Sequence, residues 1–137
     1  MTAFGPQLIG ATEKTLNAVL RRLLADAALT EPQWVALRLA AQNDTGANLA
    51  TIVGERAHFA NAAAIVAELT HRGLIADETP TPAGHELLTE LQSRVAIATA
   101  PIWADLDPHD VAATERVLER VGRRAGQVLA ALSASVA

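Results

Sequence analysis

The sequence predicts a mainly α-helical fold with a minimal β element, and three features carry that expectation. Apolar residues recur at steps of three and four through most of the chain, the mark of amphipathic helices. Half of the residues are hydrophobic and rich in Ala, Leu and Val, with Phe4, Trp34, Phe59 and Trp103 as the aromatics, a mixture that suits helices better than a large sheet. The stretch with strand character, "LIADETPTP", holds two prolines and leaves room for at most one short strand and a turn.

From Leu8 to Ala25 the positions Ile9, Leu16, Val19, Leu20, Leu23 and Leu24 form an apolar stripe, while Glu13, Lys14, Asn17, Arg21 and Arg22 fill most other places. In "LTEPQWVALRLAAQN", Thr30 is placed as an N-cap with Gln33 as its capping-box partner and Pro32 in the first turn, predicting a helix from Glu31 to Gln42. "NDTGAN" is a turn cluster. Asn48 then caps a short helix "LATIVGERA", which Gly54 weakens without ending. "HFANAAAIVAELTHRG" reads as a helix with Ile65, Val66 and Leu69 inward, His58 as a cap at its start and Gly73 as its stop. Beyond the prolines, Leu88, Leu91, Val95, Ala98 and Ile102 step along a long helix that Pro101 bends or ends. Asp107 and Pro108 restart a last helix as N-cap and first position, and there Leu118, Val121, Ala125, Val128 and Leu132 repeat the three-four step.

A chain of 137 residues is expected to be a single domain, 1–137, with a core at 30–82 flanked by helices over 6–26 and 83–133. Three long stripes exceed what one small globule covers, so the flanking helices are expected to bury surface between two copies of the chain, with Ile9, Leu16, Trp103, Leu118, Val121, Ala125, Val128 and Leu132 at the homodimer interface. Trp34 and Trp103 are read as core and interface anchors.

Composition excludes more than it selects. With no cysteine, thiol redox sensing and thiolate metal sites are ruled out. His58, His71, His85 and His109 stand singly and there is no HExxH pattern, so no metal and no cofactor is expected. Scattered carboxylates, no nucleophile signature and no glycine-rich phosphate loop argue against an enzyme. No apolar run is long enough for a bilayer and the N-terminus lacks a signal-peptide layout, which points to a cytoplasmic protein without a membrane partner. A net charge of −4 argues mildly against nucleic acid, because domains that grip phosphates usually carry a basic patch.

The order of these elements adds a counter-argument. The capped helix "LTEPQWVALRLA", the segment "LTHRGLI" leading to "TPTPAGHELL", and "PIWADLDPHDVAATERVLERV" stand in the order and spacing that resemble the MarR family of transcription regulators. The resemblance covers nearly the whole chain. It implies a winged helix-turn-helix core between dimerisation helices, a dimer bound to double-stranded operator DNA, and release by a small apolar or aromatic effector. Leu49 to Arg56 would then be the first helix of the motif and Phe59 to Arg72 the recognition helix in the major groove.

The residues placed for DNA contact under that resemblance are Thr45, Arg56, His58, Ala60, Asn61, Arg72 and Thr79. Asn61 is the one side chain there able to make a bidentate contact, with adenine as its natural partner. An effector crevice where the first, second and fifth helices meet would involve Leu16, Trp34, Arg38, Leu91 and Val95. The family's long wing and its minor-groove arginine have no counterpart: "ADETP" stands in that place, with Asp77 and Glu78 and no arginine. From Asn48 to Glu86 the basic residues are Arg56 and Arg72, against Glu55, Glu68, Asp77, Glu78 and Glu86. A dimeric ligand- or protein-binding module that keeps the fold without reading DNA is therefore the alternative.

Overall fold

The computed structural model describes residues 3–135 and contains six α-helices, one 3-10 turn and a two-stranded hairpin among them. Helix α1 spans Pro6–Leu24 and runs into a 3-10 turn at Ala25–Ala27, which Ala28 closes in the left-handed conformation. Helix α2 spans Glu31–Ala41, α3 Leu49–Ala57 and α4 Ala62–His71. Strands β1 (Ile75–Ala76) and β2 (Thr79–Pro80) pair antiparallel, Ile75 opposite Pro80 and Ala76 opposite Thr79. Helix α5 runs Pro82–Trp103 and α6 Pro108–Ser135. The single domain expected over 1–137 packs as two units, one ending at Ala98 and one beginning at Thr99.

Local chemistry accounts for the helix boundaries. Thr30 and Gln33 close a reciprocal capping box: the Gln33 amide donates to Thr30 Oγ1 at 3.2 Å and the Thr30 amide to Gln33 Oε1 at 3.1 Å. Asn48 Oδ1 accepts from the Thr51 amide at 3.0 Å, and Asp107 Oδ1 accepts from the His109 amide at 2.8 Å. Gly73 stops α4 at φ +74°, a conformation that glycine adopts without the Cβ penalty. Pro101 does not end α5 at its own position; the helix continues to Trp103.

The first unit holds the core. Leu24 of α1, Leu37 and Trp34 of α2, Leu49 and Val53 of α3, and Ile65 and Leu69 of α4 are buried together, with Leu74, Ile75, Leu88 and Leu91 closing the cluster. Helices α3 and α4 pack against each other, with Gly54 of α3 facing Ala62 of α4. A Cβ built there would lie 3.8 Å from Ala62 Cβ, ordinary contact, so Gly54→Ala gains helix propensity without a clash. It is expected to stabilise the protein by about 0.5–1 kcal/mol, read as a higher urea midpoint.

The hairpin is shorter than any usual wing, yet it has two strands where the prolines had suggested one. Pro80 is accommodated because it sits at the end of a two-residue edge strand. Asp77 and Glu78 form the turn at φ 52° and 71°, the double left-handed geometry that lets a two-residue loop follow the strand twist.

Candidate nucleic-acid interface

The helix-turn-helix is α3, the turn 58–61, and α4. His58, expected to cap the second of these helices, instead terminates the first, in the left-handed conformation at φ 58°. That turn delays α4, which begins at Ala62 rather than at Phe59. Asn61 takes the N-cap position, and its side chain makes no capping bond. The start of α4 consequently presents backbone N–H groups without a side-chain acceptor, and no acidic residue stands in its first turn. Such an end attracts anions.

Around the start of α4 the exposed residues are small and uncharged, and Glu68, Thr70 and His71 are exposed toward its end. Asn61, Ala63, Ala64 and Ala67 face solvent, as does Ala60 before them, while Ala62, Ile65 and Leu69 face the core. Phe59 is half-buried against the core and therefore packs rather than projecting as a wedge. Arg56 and His58 are exposed beside this surface.

The hairpin is fastened to the turn that precedes α3. Glu78 Oε2 accepts from the Leu49 amide in a short hydrogen bond, so a wing carboxylate satisfies the N-terminus of α3 alongside Asn48. Buried Asn43 donates through Nδ2 to Ala47 O at 2.8 Å and to Glu78 O at 3.1 Å. Thr45 and Thr79, both expected as DNA contacts, belong to these joined segments, Thr45 exposed in the turn and Thr79 half-buried in β2. Neither Asn43 nor Glu78 stood out in the sequence as a structural pair, because 35 residues separate them.

Arg72 requires a correction. Expected at DNA, its guanidinium is instead turned onto the protein: Nη1 donates to Ala28 O at 3.0 Å and to Gln33 Oε1 at 3.4 Å, and Nη2 to Ala27 O at 3.2 Å. Left-handed Ala28 presents carbonyls that no helix satisfies, and the arginine fork fits them. Gln33 extends this network by donating to Glu68 Oε2 at 2.9 Å. Arg72→Ala is thus expected to lower stability by about 1 kcal/mol, discounted for exposure, while leaving the salt dependence of any DNA binding unchanged.

Arg72, Glu68 and Glu78 keep their charges while bonded to neutral groups, so the balance near α3, α4 and the hairpin remains Arg56 and Arg72 against Glu55, Glu68, Asp77, Glu78 and Glu86, with Arg72 turned onto the protein. Recognition here would depend on Asn61, backbone amides and hydroxyls rather than on a cationic band.

The residues expected to line one effector crevice are not brought together. Trp34 and Leu91 are core residues, 4% and 1% exposed. Leu16 borders a shallow depression with Ala11, Thr12 and Thr15 on α1, and Val95 is half-buried on α5. Arg38 alone of the five lines the cavity of about 420 Å³ that opens between α1, α2 and the end of α3. The indole and the leucine are consumed by packing, which a sequence stripe does not distinguish from a pocket wall.

The expected dimer residues behave differently in the two units. Ile9 and Leu16 on α1 are half-buried. In the second unit no described residue of α6 is buried, and Trp103, Leu118, Val121, Val128 and Leu132 are 40–60% exposed.

No family model matches the chain, and no curated protein matches it. Solved structures do. A MarR family transcriptional regulator from Rhodococcus sp. RHA1 superposes with a TM-score of 0.73 at 20% identity, covering 83% of this chain and 88% of that one. A Mycobacterium tuberculosis MarR family protein in complex with salicylic acid gives 0.67 at 23% identity, over 86% of this chain and 99% of that one. The same Mycobacterium tuberculosis protein in complex with DNA gives 0.62 at 26% identity, over 87% and 99%. What is shared over these lengths is the fold.

Proposed function

From the MarR-like winged-helix fold that this chain adopts, we propose that it is a homodimeric DNA-binding transcription regulator whose hold on its operator is modulated by a small apolar or aromatic molecule. The observation that carries this reading is the α3–turn–α4 unit joined to a hairpin, in a fold that superposes over 87% of the chain on a MarR family protein solved with DNA. Helix α4 is the element for the major groove, with Asn61 as its base reader and the free amides at its start against a phosphate.

The dimer follows from α6. Leu118, Val121, Ala125, Val128 and Leu132 repeat at three-four spacing on a 28-residue helix that buries none of its described residues. A second copy of the same stripe is the simplest cover, and it sets two recognition helices on two half-sites. An effector of the stated kind is supported by the fold's likeness to a protein solved with salicylic acid.

One observation favours a second reading. The excess of carboxylates over arginines around the helix-turn-helix, with no wing arginine, suits a dimeric module that binds a ligand or a protein and has given up DNA. Selection of genomic fragments on the purified protein separates the two. The regulator reading expects enrichment of one or a few palindromic sites; recovery indistinguishable from random fragments would contradict it. On a selected site, Asn61→Ala is expected to weaken binding by about 1–3 kcal/mol and to relax the preference at a single base pair per half-site. Unchanged affinity would remove Asn61 from the interface.

A further inference from the structure

The cavity of about 420 Å³ in the first unit has a lining that carries both signs of charge. Its charged residues are Glu13 of α1 and Glu31 of α2, close enough for the one to act on the other, and Arg38 of α2 and Arg56 of α3. Val35, Leu39, Ala57 and Phe59 supply apolar surface. On α2 the order Glu31, Val35, Arg38, Leu39 keeps these residues near one helix face, with Glu31 and Arg38 roughly 10 Å apart along the axis at 1.5 Å per residue. No residue of α5 takes part.

These charges do not neutralise one another. Among the described residues the ion pair is Arg94–Glu90 on α5, and the side chains of Glu13, Glu31, Arg38 and Arg56 make neither an ion pair nor a hydrogen bond. The two carboxylates instead oppose each other: burial first, and Glu13 second, push the Glu31 carboxyl above its usual range, with Arg21 acting the other way. Half-buried Glu31 with exposed Glu13 beside it favours a cation, and two guanidiniums favour a carboxylate or similar anion.

We propose that this cavity binds a zwitterionic small molecule whose amine and carboxylate are separated by an apolar body about one aromatic ring long, the amine at Glu13 and Glu31 and the carboxylate at Arg38 and Arg56. The volume lies within the roughly 300–1,000 Å³ of small-ligand sites. Ala57 and Phe59 on the wall flank His58, the left-handed residue that closes α3 and directs the chain into α4. Occupancy therefore acts where the recognition helix is aimed. The inference rests on the regulator reading for that consequence; the binding itself does not.

Calorimetric titration of the full-length protein, without DNA, compares 4-(aminomethyl)benzoate with benzoate and with benzylamine. The zwitterion is expected to bind at least about tenfold more tightly than either half-ligand, each charged end contributing on the order of one tenfold step. Glu31→Gln is expected to reduce its affinity to that of benzoate, and Arg56→Gln to that of benzylamine. Should Glu31→Gln not fold, Glu13→Gln reads the same end. Equal affinity for the three probes, an advantage of the zwitterion that survives both substitutions, or no saturable binding at millimolar concentration would each overturn the assignment. Zwitterion binding without enrichment of any DNA site would remove the regulator reading and leave this site standing, whereas the converse removes the site alone.

Discussion

Gly84→Ala is expected to be the most damaging single methyl that can be added to this protein. A Cβ at that position would lie 2.1 Å from the carbonyl oxygen of Leu74 and 3.0 Å from its carbonyl carbon, with Pro80 Cβ at 3.3 Å. The obstruction is backbone, so no rotamer change relieves it. The same Leu74 oxygen accepts the Thr81 amide at 3.0 Å, and Thr81 Oγ1 donates to Gly73 O at 2.6 Å while accepting the Gly84 amide at 3.0 Å. Moving α5 away to admit a methyl would break this knot between the end of α4, the hairpin and the start of α5. A cost of about 3 kcal/mol or more is expected, a large part of the roughly 5–15 kcal/mol that holds a domain folded. Thermal melting at fixed protein concentration should show the midpoint falling by roughly 10 °C. A loss below about 1 kcal/mol would mean that α5 slides freely on the hairpin, contrary to the packing described.

Val128→Glu is expected to have the largest effect on assembly. Val128 is 59% exposed within the chain, so a carboxylate there disturbs no intramolecular contact of a buried residue, and helix content should be unchanged. In the proposed dimer the substitution introduces an unpaired charge twice at the apolar seam. That costs several kcal/mol, so dissociation should rise by about a hundredfold or more, read by sedimentation equilibrium. Affinity for a palindromic site should fall with it, because each half-site is then held singly. A variant that sediments as wild type would place the dimer contact elsewhere.

These two positions also show what a sequence discloses and what it withholds. The caps at Thr30, Asn48 and Asp107 and the stop at Gly73 are local chemistry, decided within three or four residues, and they set most helix boundaries in agreement with the structure. The stripe on α6 is periodic and therefore visible as a face. Gly84 gave no such signal, because its necessity comes from a carbonyl ten residues earlier that the hairpin folds back upon it. Arg72, Gln33 and Glu68 form a network across 35 to 45 residues, and from sequence alone an arginine at a helix end reads equally as a phosphate contact. The turn at His58 is hidden for a related reason: a histidine between two helical segments can start the second or end the first, and the left-handed backbone that decides it leaves no compositional trace. Trp34 and Leu91, expected at an effector crevice, serve the core, and an apolar stripe does not disclose that difference.

In the proposed function a cation-poor helix-turn-helix selects DNA by position rather than by charge. Titration of a selected palindrome and of its scrambled counterpart over a salt series tests it most directly. Arg56 from each protomer and the amides at the start of α4 predict selective binding whose logarithmic salt slope stays shallow, about −2 to −4, given a slope of roughly −0.9 per phosphate neutralised. Equal affinity for both sequences at every salt concentration would contradict the account and leave the winged-helix fold serving a partner other than DNA.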